Sequence, residues 1–227
     1  MALTPPEQLT FDLPFRAARG RDAFFVSPAN AIAVAQIDDW ANWPAGKLAL
    51  TGPTGAGKTH LAHVWASESG AGILSATALP DPPEGGVFVV EDIPDIAGDA
   101  AAQVALFHFH NSVLAHGGKL LLTGRGAPGR WKLALPDLAS RMAGTASVHL
   151  EPPDDALLAA LLVKLFNDRQ LAPSAEMIRF LLPRMERSFV AAGGLVDAID
   201  RAALSSGHKI GLRLAAQVLD KMGDTAR

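Results

Sequence analysis

The feature that most constrains this chain is a glycine-rich turn at residues 52–59, which reads Gly-Pro-Thr-Gly-Ala-Gly-Lys-Thr. It satisfies the spacing G-x-x-x-x-G-K-[ST]. The apolar run Lys47–Thr51 before the turn predicts a buried strand, and the periodicity after it predicts a helix over His60–Glu68. A strand, this turn and a helix in that order predict a phosphate-binding loop, because backbone N–H groups and the helix N-terminus then point at the same anion.

Each residue type in this loop has a chemical purpose. Glycines let backbone N–H groups approach phosphate oxygens without a Cβ clash. Lys58 is expected to reach the β- and γ-phosphates, and the Thr59 hydroxyl is expected to bind Mg²⁺. The predicted ligand is ATP or ADP with Mg²⁺, and the alternative is a glycine-rich turn without a ligand. The candidate nucleotide-binding residues here are Gly52, Pro53, Thr54, Gly55, Ala56, Gly57, Lys58, Thr59 and His60.

A second acidic signal follows the apolar run Val87–Val90, where Glu91 and Asp92 come in succession. An apolar strand that ends in two acids is typical of a Walker B element, which delivers carboxylates to the magnesium and the attacking water. By position, Glu91 would hold the Mg²⁺ water shell and Asp92 would polarise the attacking water. The usual order is Asp then Glu, so we expect nucleotide binding to tolerate the exchange better than hydrolysis does. The alternative is a solvated acid pair at a strand end.

Strand and helix patterns alternate up to residue 150, and only helices are predicted after it. Near-continuous apolar strands separated by helices predict a parallel α/β sheet of five strands covered on both faces. The segment that begins at Asp154 has the apolar stripe of a helix, and Ser174 is expected to begin another. We therefore predict an arm over 1–22, an α/β nucleotide-binding domain over 23–153 and a small all-α domain over 154–227. The predicted strands are 47–51, 72–76, 87–90, 119–123 and 147–150; the other predicted helices include 100–116, 195–204 and 212–219.

Composition excludes several classes of protein. The 227 residues contain no cysteine, which excludes a disulfide scaffold and thiolate metal sites and favours a reducing, cytoplasmic compartment. No apolar run approaches the roughly 20 residues of a membrane span, and the N-terminus lacks the layout of a signal peptide, so no membrane partner is expected. A net charge of −3 disfavours a broadly basic nucleic-acid surface.

The phosphate loop, the acidic strand end and the separate helical domain together resemble an AAA+ P-loop NTPase. Residues 25–30 (Phe-Val-Ser-Pro-Ala-Asn) resemble the box before the first helix of the DnaA-related family, which lies near the adenine, so Asn30 is a further candidate nucleotide contact. Residues 52–66 resemble that family's Walker A helix. Residues 135–141 (Leu-Pro-Asp-Leu-Ala-Ser-Arg) resemble its arginine-finger box, in the form with an aspartate at 137 that is typical of the Hda-type regulators.

The resemblance assigns roles to three further positions. Arg141 is implied to be an arginine finger that acts in trans on ATP bound to a DnaA partner, with a surface salt bridge as the alternative. Thr123 is at the sensor 1 position, where it would orient a water, although threonine is also common at strand ends. Gly193 is at the sensor 2 position, where the family usually has an arginine. With the exchanged acids, this implies weak intrinsic hydrolysis.

The arm contains a second resemblance, at residues 8–13. The run Gln-Leu-Thr-Phe-Asp-Leu resembles the hexapeptide QLxLxL that binds the DNA polymerase sliding clamp. In such a motif Gln8 would hydrogen-bond at the pocket edge while Leu9, Phe11 and Leu13 would fill apolar pockets. The alternative is that the apolar side chains pack on their own domain.

Two absences favour the Hda-type branch over the initiator itself. Only about ten residues separate Ala76 from Val87, too few for the initiator's helical insertion, and no helix-turn-helix DNA-binding domain is expected after the helical domain. The expected function is regulation of replication initiation through the sliding clamp and DnaA. The alternatives are a helicase-loader-type AAA+ adaptor and a P-loop ATPase or kinase acting on a soluble substrate. A homo-oligomer is left open.

Overall fold

The computed structural model describes residues 15–16, 24–206 and 209–225. The described residues divide into two compact units, Phe15–Pro152 and the segment from Pro153 onward. The predicted clamp-binding residues Gln8, Leu9, Phe11 and Leu13 lie outside the described residues.

The first unit is built on a five-stranded sheet in which all neighbouring strands are parallel, in the order β4-β5-β6-β3-β7. This confirms the predicted fold class. Strand β3, which leads into the glycine-rich loop at 52–59, lies inside the sheet between β6 and β7, so the loop follows a strand that is paired on both sides. The strands are β3 (Lys47–Thr51), β4 (Gly72–Ser75), β5 (Val87–Glu91), β6 (Lys119–Gly124) and β7 (Ser147–His149).

Helices cover both faces of this sheet, as the apolar strands predict. Because successive side chains of a strand point to opposite faces, Leu48 and Leu50 of β3 enter one core while Ala49 between them enters the other. Trp65 of α2 lies in the first core, and Phe109 of α3 lies in the second. The helices of this unit are α1 (Ala31–Asp38), α2 (Lys58–Ser69), α3 (Ala100–Ala115) and α4 (Pro136–Ala143).

The first unit differs from the sequence-based expectation at its short elements. Strand β1 (Phe15–Arg16) pairs antiparallel with β2 (Phe24–Phe25), so two residues assigned to the arm lie in the unit that holds the sheet. Helix α4 was not predicted, and it carries Arg141 in its last turn. Helix α2 begins at Lys58, two residues before the predicted start, which places the lysine of the loop in the helix itself.

The second unit is helical throughout its described part. The Asp154 side chain accepts a hydrogen bond from the Leu157 N–H, and the Ser174 side chain accepts one from the Met177 N–H. Both residues therefore cap helices at the positions where the sequence predicts a helix to begin. The apolar faces of the four helices enclose one core around Leu158, Phe166 and Val196. None of the described helices is both long and apolar enough to cross a membrane. The helices are α5 (Asp155–Asp168), α6 (Ala175–Leu181), α7 (Phe189–Ser206) and α8 (Leu212–Thr225).

Candidate nucleotide site and the opposite edge of the sheet

The glycine-rich loop begins at the carboxyl end of β3 in a conformation that requires its glycines. Gly52 has φ of +152°, and a Cβ added there would lie 2.5 Å from the Leu150 carbonyl oxygen. Gly55 and Gly57 have φ of +77° and +94°, in the left-handed region that other residues rarely adopt. Any side chain at these positions would strain the backbone, so the spacing of the glycines fixes the shape of the loop.

Lys58 turns back into this loop from the first position of α2. Its Nζ donates to the carbonyl oxygens of Gly52, at 3.0 Å, and Pro53, at 2.9 Å. Burial lowers the pKa of Lys58, and the negative charge of Asp92 partly offsets that shift. The ammonium group is therefore held against the backbone of the loop's first two residues, while the neighbouring Thr59 side chain is exposed and His60 is half-buried.

Glu91 ends β5 with one of its oxygens in an unusual position. Its Oε1 is buried and has no hydrogen-bond partner among the described residues, whereas Oε2 lies 3.4 Å from Nε2 of His63 on α2. A buried carboxylate oxygen without a partner costs free energy, and Mg²⁺ prefers oxygen ligands of this kind.

The described residues contain no cluster of three or more His, Cys, Asp or Glu side chains that could hold a metal alone. Mg²⁺ is usually held by one or two protein oxygens together with phosphates and water. Glu91 and the Thr59 hydroxyl are therefore the residues that fit a magnesium ion bound with a nucleotide.

Asp92 follows Glu91 in a left-handed conformation that a neighbouring strand supports. It has φ of +55°, and its N–H donates to Oγ1 of Thr123 on β6 at 3.0 Å. Thr123 is 1% exposed, so the acceptor of this partly buried hydrogen bond lies in the core, whereas Asp92 itself is exposed. Desolvation raises the pKa of the Asp92 carboxyl, and the charges of Asp95 and Glu91 raise it further. Thr123, expected at the sensor 1 position, thus fixes the turn that presents Asp92.

Arg125 and Asp95 also lie at this edge of the sheet, although the sequence pattern did not identify them as site residues. Arg125 directly follows β6, and its Nη2 lies 3.6 Å from Oδ1 of Asp95. Desolvation dominates the pKa shifts of Lys58 and Asp92; the positive charge of Arg125 adds to the lowering at Lys58 and offsets part of the rise at Asp92. The available signal was position, because residues that follow a parallel strand meet at the same edge as the loop.

Asn30 is buried in the turn before α1, with its side-chain amide hydrogen-bonded to the backbone. Its Nδ2 donates to the Phe25 carbonyl oxygen at 2.9 Å, and its Oδ1 accepts from the Ser27 N–H at 2.9 Å. These bonds fix the segment from Phe25 to Asn30. Any contribution of Asn30 to nucleotide binding is therefore expected through the shape of this segment.

Arg141 lies at the other edge of the sheet. Its guanidinium carbon is 5.2 Å from the centre of the Phe107 ring, and its carbonyl oxygen accepts a 2.9 Å hydrogen bond from Nζ of Lys47. Lys47 begins β3 and Thr51 ends it. At about 3.3 Å per residue, the two ends of this strand lie roughly 13 Å apart. The structure thus brings Lys58, Glu91, Asp92 and Thr123 together at the carboxyl edge, and it places Arg141 at the amino edge.

The expected sensor 2 position lies in the helical unit. Gly193 is in α7, and a Cβ added there would meet no atom of the described residues within 4 Å.

Comparison with known proteins identifies the architecture. No family model matches the chain. Domain III of the replication initiation protein DnaA from Thermotoga maritima superposes with a TM-score of 0.74 at 18% identity, covering 87% of this chain and 94% of that one. AMPPCP-bound DnaA from Aquifex aeolicus gives 0.67 at 18% identity, covering 88% of this chain and 68% of that one.

A more distant structure shares the same architecture. A mutant form of RuvB from Thermotoga maritima superposes with a TM-score of 0.63 at 16% identity, over 86% of this chain and 68% of that one. The chain spans 63% of a DnaA structure bound to AMPPCP and single-stranded DNA. The chain therefore has the fold of the AAA+ P-loop NTPases, in a form similar to domain III of DnaA.

Proposed function

We propose that this chain is a nucleotide-binding AAA+ regulator of replication initiation. It binds ADP or ATP with Mg²⁺ at the glycine-rich loop, docks on the sliding clamp through residues 8–13, and supplies Arg141 to ATP bound by a DnaA partner. Hydrolysis of that ATP would inactivate the initiator.

Nucleotide binding is supported by the chemistry of the carboxyl edge. The loop requires glycine at Gly52, Gly55 and Gly57, and the Lys58 ammonium lies inside it. The unpartnered oxygen of Glu91 fits a hydrated magnesium ion. A structure of the same fold, DnaA from Aquifex aeolicus, has AMPPCP bound. The phosphate oxygens of a bound nucleotide, together with water, would complete the ligand set of the magnesium ion.

The proposed action on the ATP of a partner is supported by the position of Arg141. The arginine is joined through Lys47 to the amino end of β3, whereas the loop follows the carboxyl end of the same strand. An arginine there is remote from the glycine-rich loop of its own chain, and its side chain is exposed, so a partner could reach it. An arginine finger supplied in trans increases hydrolysis by roughly 10³–10⁵-fold. The stacking on Phe107 would hold the guanidinium in place.

Clamp binding is supported by the sequence of residues 8–13, with Gln8, Leu9, Phe11 and Leu13 as the side chains that enter the clamp. Weak hydrolysis of the chain's own nucleotide is supported by the order of Glu91 and Asp92 and by glycine at position 193.

The test is hydrolysis of DnaA-bound ATP in the presence of clamp loaded on DNA. Wild-type protein is compared with Arg141→Ala and with a Gln8→Ala, Leu13→Ala double variant. Arg184→Ala is the matched control, because Arg184 also lies over a phenylalanine ring, 4.1 Å from the centre of Phe180. We expect acceleration by wild type and by the control, and loss of it in the other two variants.

Each other outcome has a defined meaning. If only the double variant fails, Arg141 is not the finger. If Arg141→Ala and Arg184→Ala fail equally, the effect is not specific to the amino edge. If wild-type protein does not accelerate hydrolysis, the regulatory function is wrong, and a helicase-loader-type adaptor or an ATPase with a soluble substrate takes its place.

A further inference from the structure

A cleft of about 610 Å³ opens at the amino edge of the sheet, beside Arg141 and remote from the glycine-rich loop. Lys47, His110 and Arg141 supply its ionisable groups, and Asn111 supplies an amide. All lie within the unit Phe15–Pro152. Neither Lys47 nor His110 has a role in the proposed binding of nucleotide, clamp or DnaA.

Lys47 is a buried cation without an anion. It is 7% exposed, and its Nζ lies 3.1 Å from His110 Nε2 and 2.9 Å from the Arg141 carbonyl oxygen, both neutral groups. Throughout the described ranges, no carboxylate lies within salt-bridge distance of Lys47 or Arg141. Burying a cation costs free energy unless a negative charge offsets it.

The histidine does not supply the missing charge. His110 is 2% exposed, and burial, followed by the positive charge of Lys47, lowers its pKa to about 4. It is therefore neutral at pH 7. The cationic side chains of the cleft are Lys47 and Arg141, and no lining residue is acidic. Burial, followed by the positive charge of Arg141, lowers the pKa of Lys47, so a bound anion would stabilise its charged form.

We propose that this cleft receives the carboxylate of an aspartate or glutamate side chain from a partner protein. Lys47 and Arg141 would bind the carboxylate, and the apolar side of the cleft, formed by Ala45, Leu114 and Ala115, would contact its methylene stem. The proposal concerns the same guanidinium as the proposed action on ATP, so the two ligands would compete for Arg141. Lys47, which the proposed function does not use, distinguishes the two tests.

The cleft suits a single negative charge better than a phosphate dianion. Its walls include the end of α3 at Leu114 and Ala115 and the last turn of α4 at Arg141. Helix C-termini carry partial negative charge, which opposes a doubly charged ligand about twice as strongly as a singly charged one. Phosphate sites instead use helix N-termini and backbone N–H groups, as at the loop on the opposite edge.

The test is NMR of the histidine ring signals in the full chain at pH 7. The probe is the capped peptide acetyl-Ala-Glu-Ala-amide, with the matching Gln peptide as the neutral control at equal ionic strength. We expect a saturable shift of the His110 signals with the Glu peptide only. The exposed His108 and His116 lie outside the cleft and serve as internal references.

Two variants test the charges. Lys47→Met keeps the stem and removes a buried charge, and the Arg141 carbonyl oxygen still accepts from the Thr145 hydroxyl at 2.8 Å. It also leaves Nε2 of His110 without its donor, so thermal unfolding first establishes that the variant is folded. We expect this variant to abolish the His110 response to the Glu peptide. Arg141→Gln should weaken the response several-fold, and Lys132→Met, on an exposed side chain, should leave it unchanged.

Three results would overturn the proposal: no saturable shift, an equal shift with the Gln peptide, or an undiminished shift in folded Lys47→Met. A stronger response to inorganic phosphate or ADP than to the Glu peptide would assign a phosphate ligand instead, which also overturns it.

Discussion

At the scale of single residues, Gly52 leaves no room for a side chain, because an added Cβ would lie against the carbonyl oxygen of Leu150. We predict that Gly52→Ala destabilises the protein by at least about 2 kcal/mol, because it combines a 2.5 Å clash with a φ of +152°. The measurement is urea unfolding.

Gly98→Ala is the matched control for that variant, since a Cβ there meets none of the described atoms within 4 Å. It should change the free energy of unfolding by less than about 0.5 kcal/mol. Equal effects of the two substitutions would show that the strain does not come from the approach to Leu150.

Asp92 gives a prediction with a defined pH dependence. Its folded-state pKa is raised, chiefly by desolvation, so ionising it favours the unfolded state and stability is lost as pH rises from the unfolded pKa through the folded one. Asp92→Asn should therefore raise the melting temperature at pH 7, and the gain should vanish at pH 3, where both states of the wild-type carboxyl are protonated.

Thermal unfolding at the two pH values measures this effect. Asp81→Asn is the control, because Asp81 is not among the charges that act on Asp92 at the carboxyl edge. A gain that persists at pH 3 would mean that the asparagine amide, rather than the lost charge, causes the stabilisation. A loss of stability at pH 7 would contradict the inferred direction of the pKa shift.

At this scale the sequence predicted only those parts of the candidate site whose residues are adjacent along the chain. The residues of the glycine-rich loop are consecutive, so their spacing indicated the chemistry directly. The Thr123 to Asp92 bond joins residues 31 apart, and the Lys47 to His110 contact joins residues 63 apart. Pairings of this kind depend on which strands become neighbours, and a single sequence does not reveal that order.

At the scale of elements, length and burial decided which predictions succeeded. The five sheet strands lie in apolar runs that stand out against the turns between them, and all five were predicted. Helix α4 has eight residues, of which only Leu138 and Met142 are buried. So short an apolar pattern does not identify a helix, and the helix forms because those two side chains complete the second core.

Helix α7 gives a prediction about the sensor 2 position. Gly193 and Gly194 lie inside this helix, and an added Cβ at either position would contact no described atom within 4 Å. Because glycine costs a helix about 0.5–1 kcal/mol relative to alanine, Gly193→Ala and Gly194→Ala should each stabilise the protein by that amount. Urea unfolding measures both.

Arginine substitutions at the same two positions test whether position 193 contributes to ATP hydrolysis. If position 193 is the sensor 2 position, Gly193→Arg should raise the chain's own ATP hydrolysis several-fold in a steady-state assay. Gly194→Arg offers the same charge about 100° further round the helix and should have no such effect. Equal rates for both variants would remove position 193 from the sensor 2 role.

At the scale of the whole molecule, the described part of the chain has separate cores in its two units. Leu50 and Phe109 belong to the two cores of the sheet unit, and Phe166 belongs to the core of the helical unit. Each unit thus buries its own apolar side chains. A ligand bound only by the glycine-rich loop should therefore stabilise the sheet unit, which contains that loop, more than the helical unit.

Nucleotide binding gives a prediction at this same scale. Adding ADP with Mg²⁺ should stabilise the sheet unit by about 2.7 kcal/mol when the nucleotide is at 100 times its dissociation constant, because a ligand that binds only the folded state shifts the unfolding equilibrium. Hydrogen exchange of the sheet strands, compared with that of helices α5 to α8, measures the effect in each unit.

Two lysine variants test whether the nucleotide is bound at the loop. Lys58→Met should abolish the stabilisation, because the Lys58 ammonium contacts the loop backbone, and Lys132→Met, on an exposed side chain, should retain it. Protection confined to the helical unit, or retained in Lys58→Met, would place the nucleotide elsewhere in the molecule and would contradict the assignment of residues 52–59 as its site.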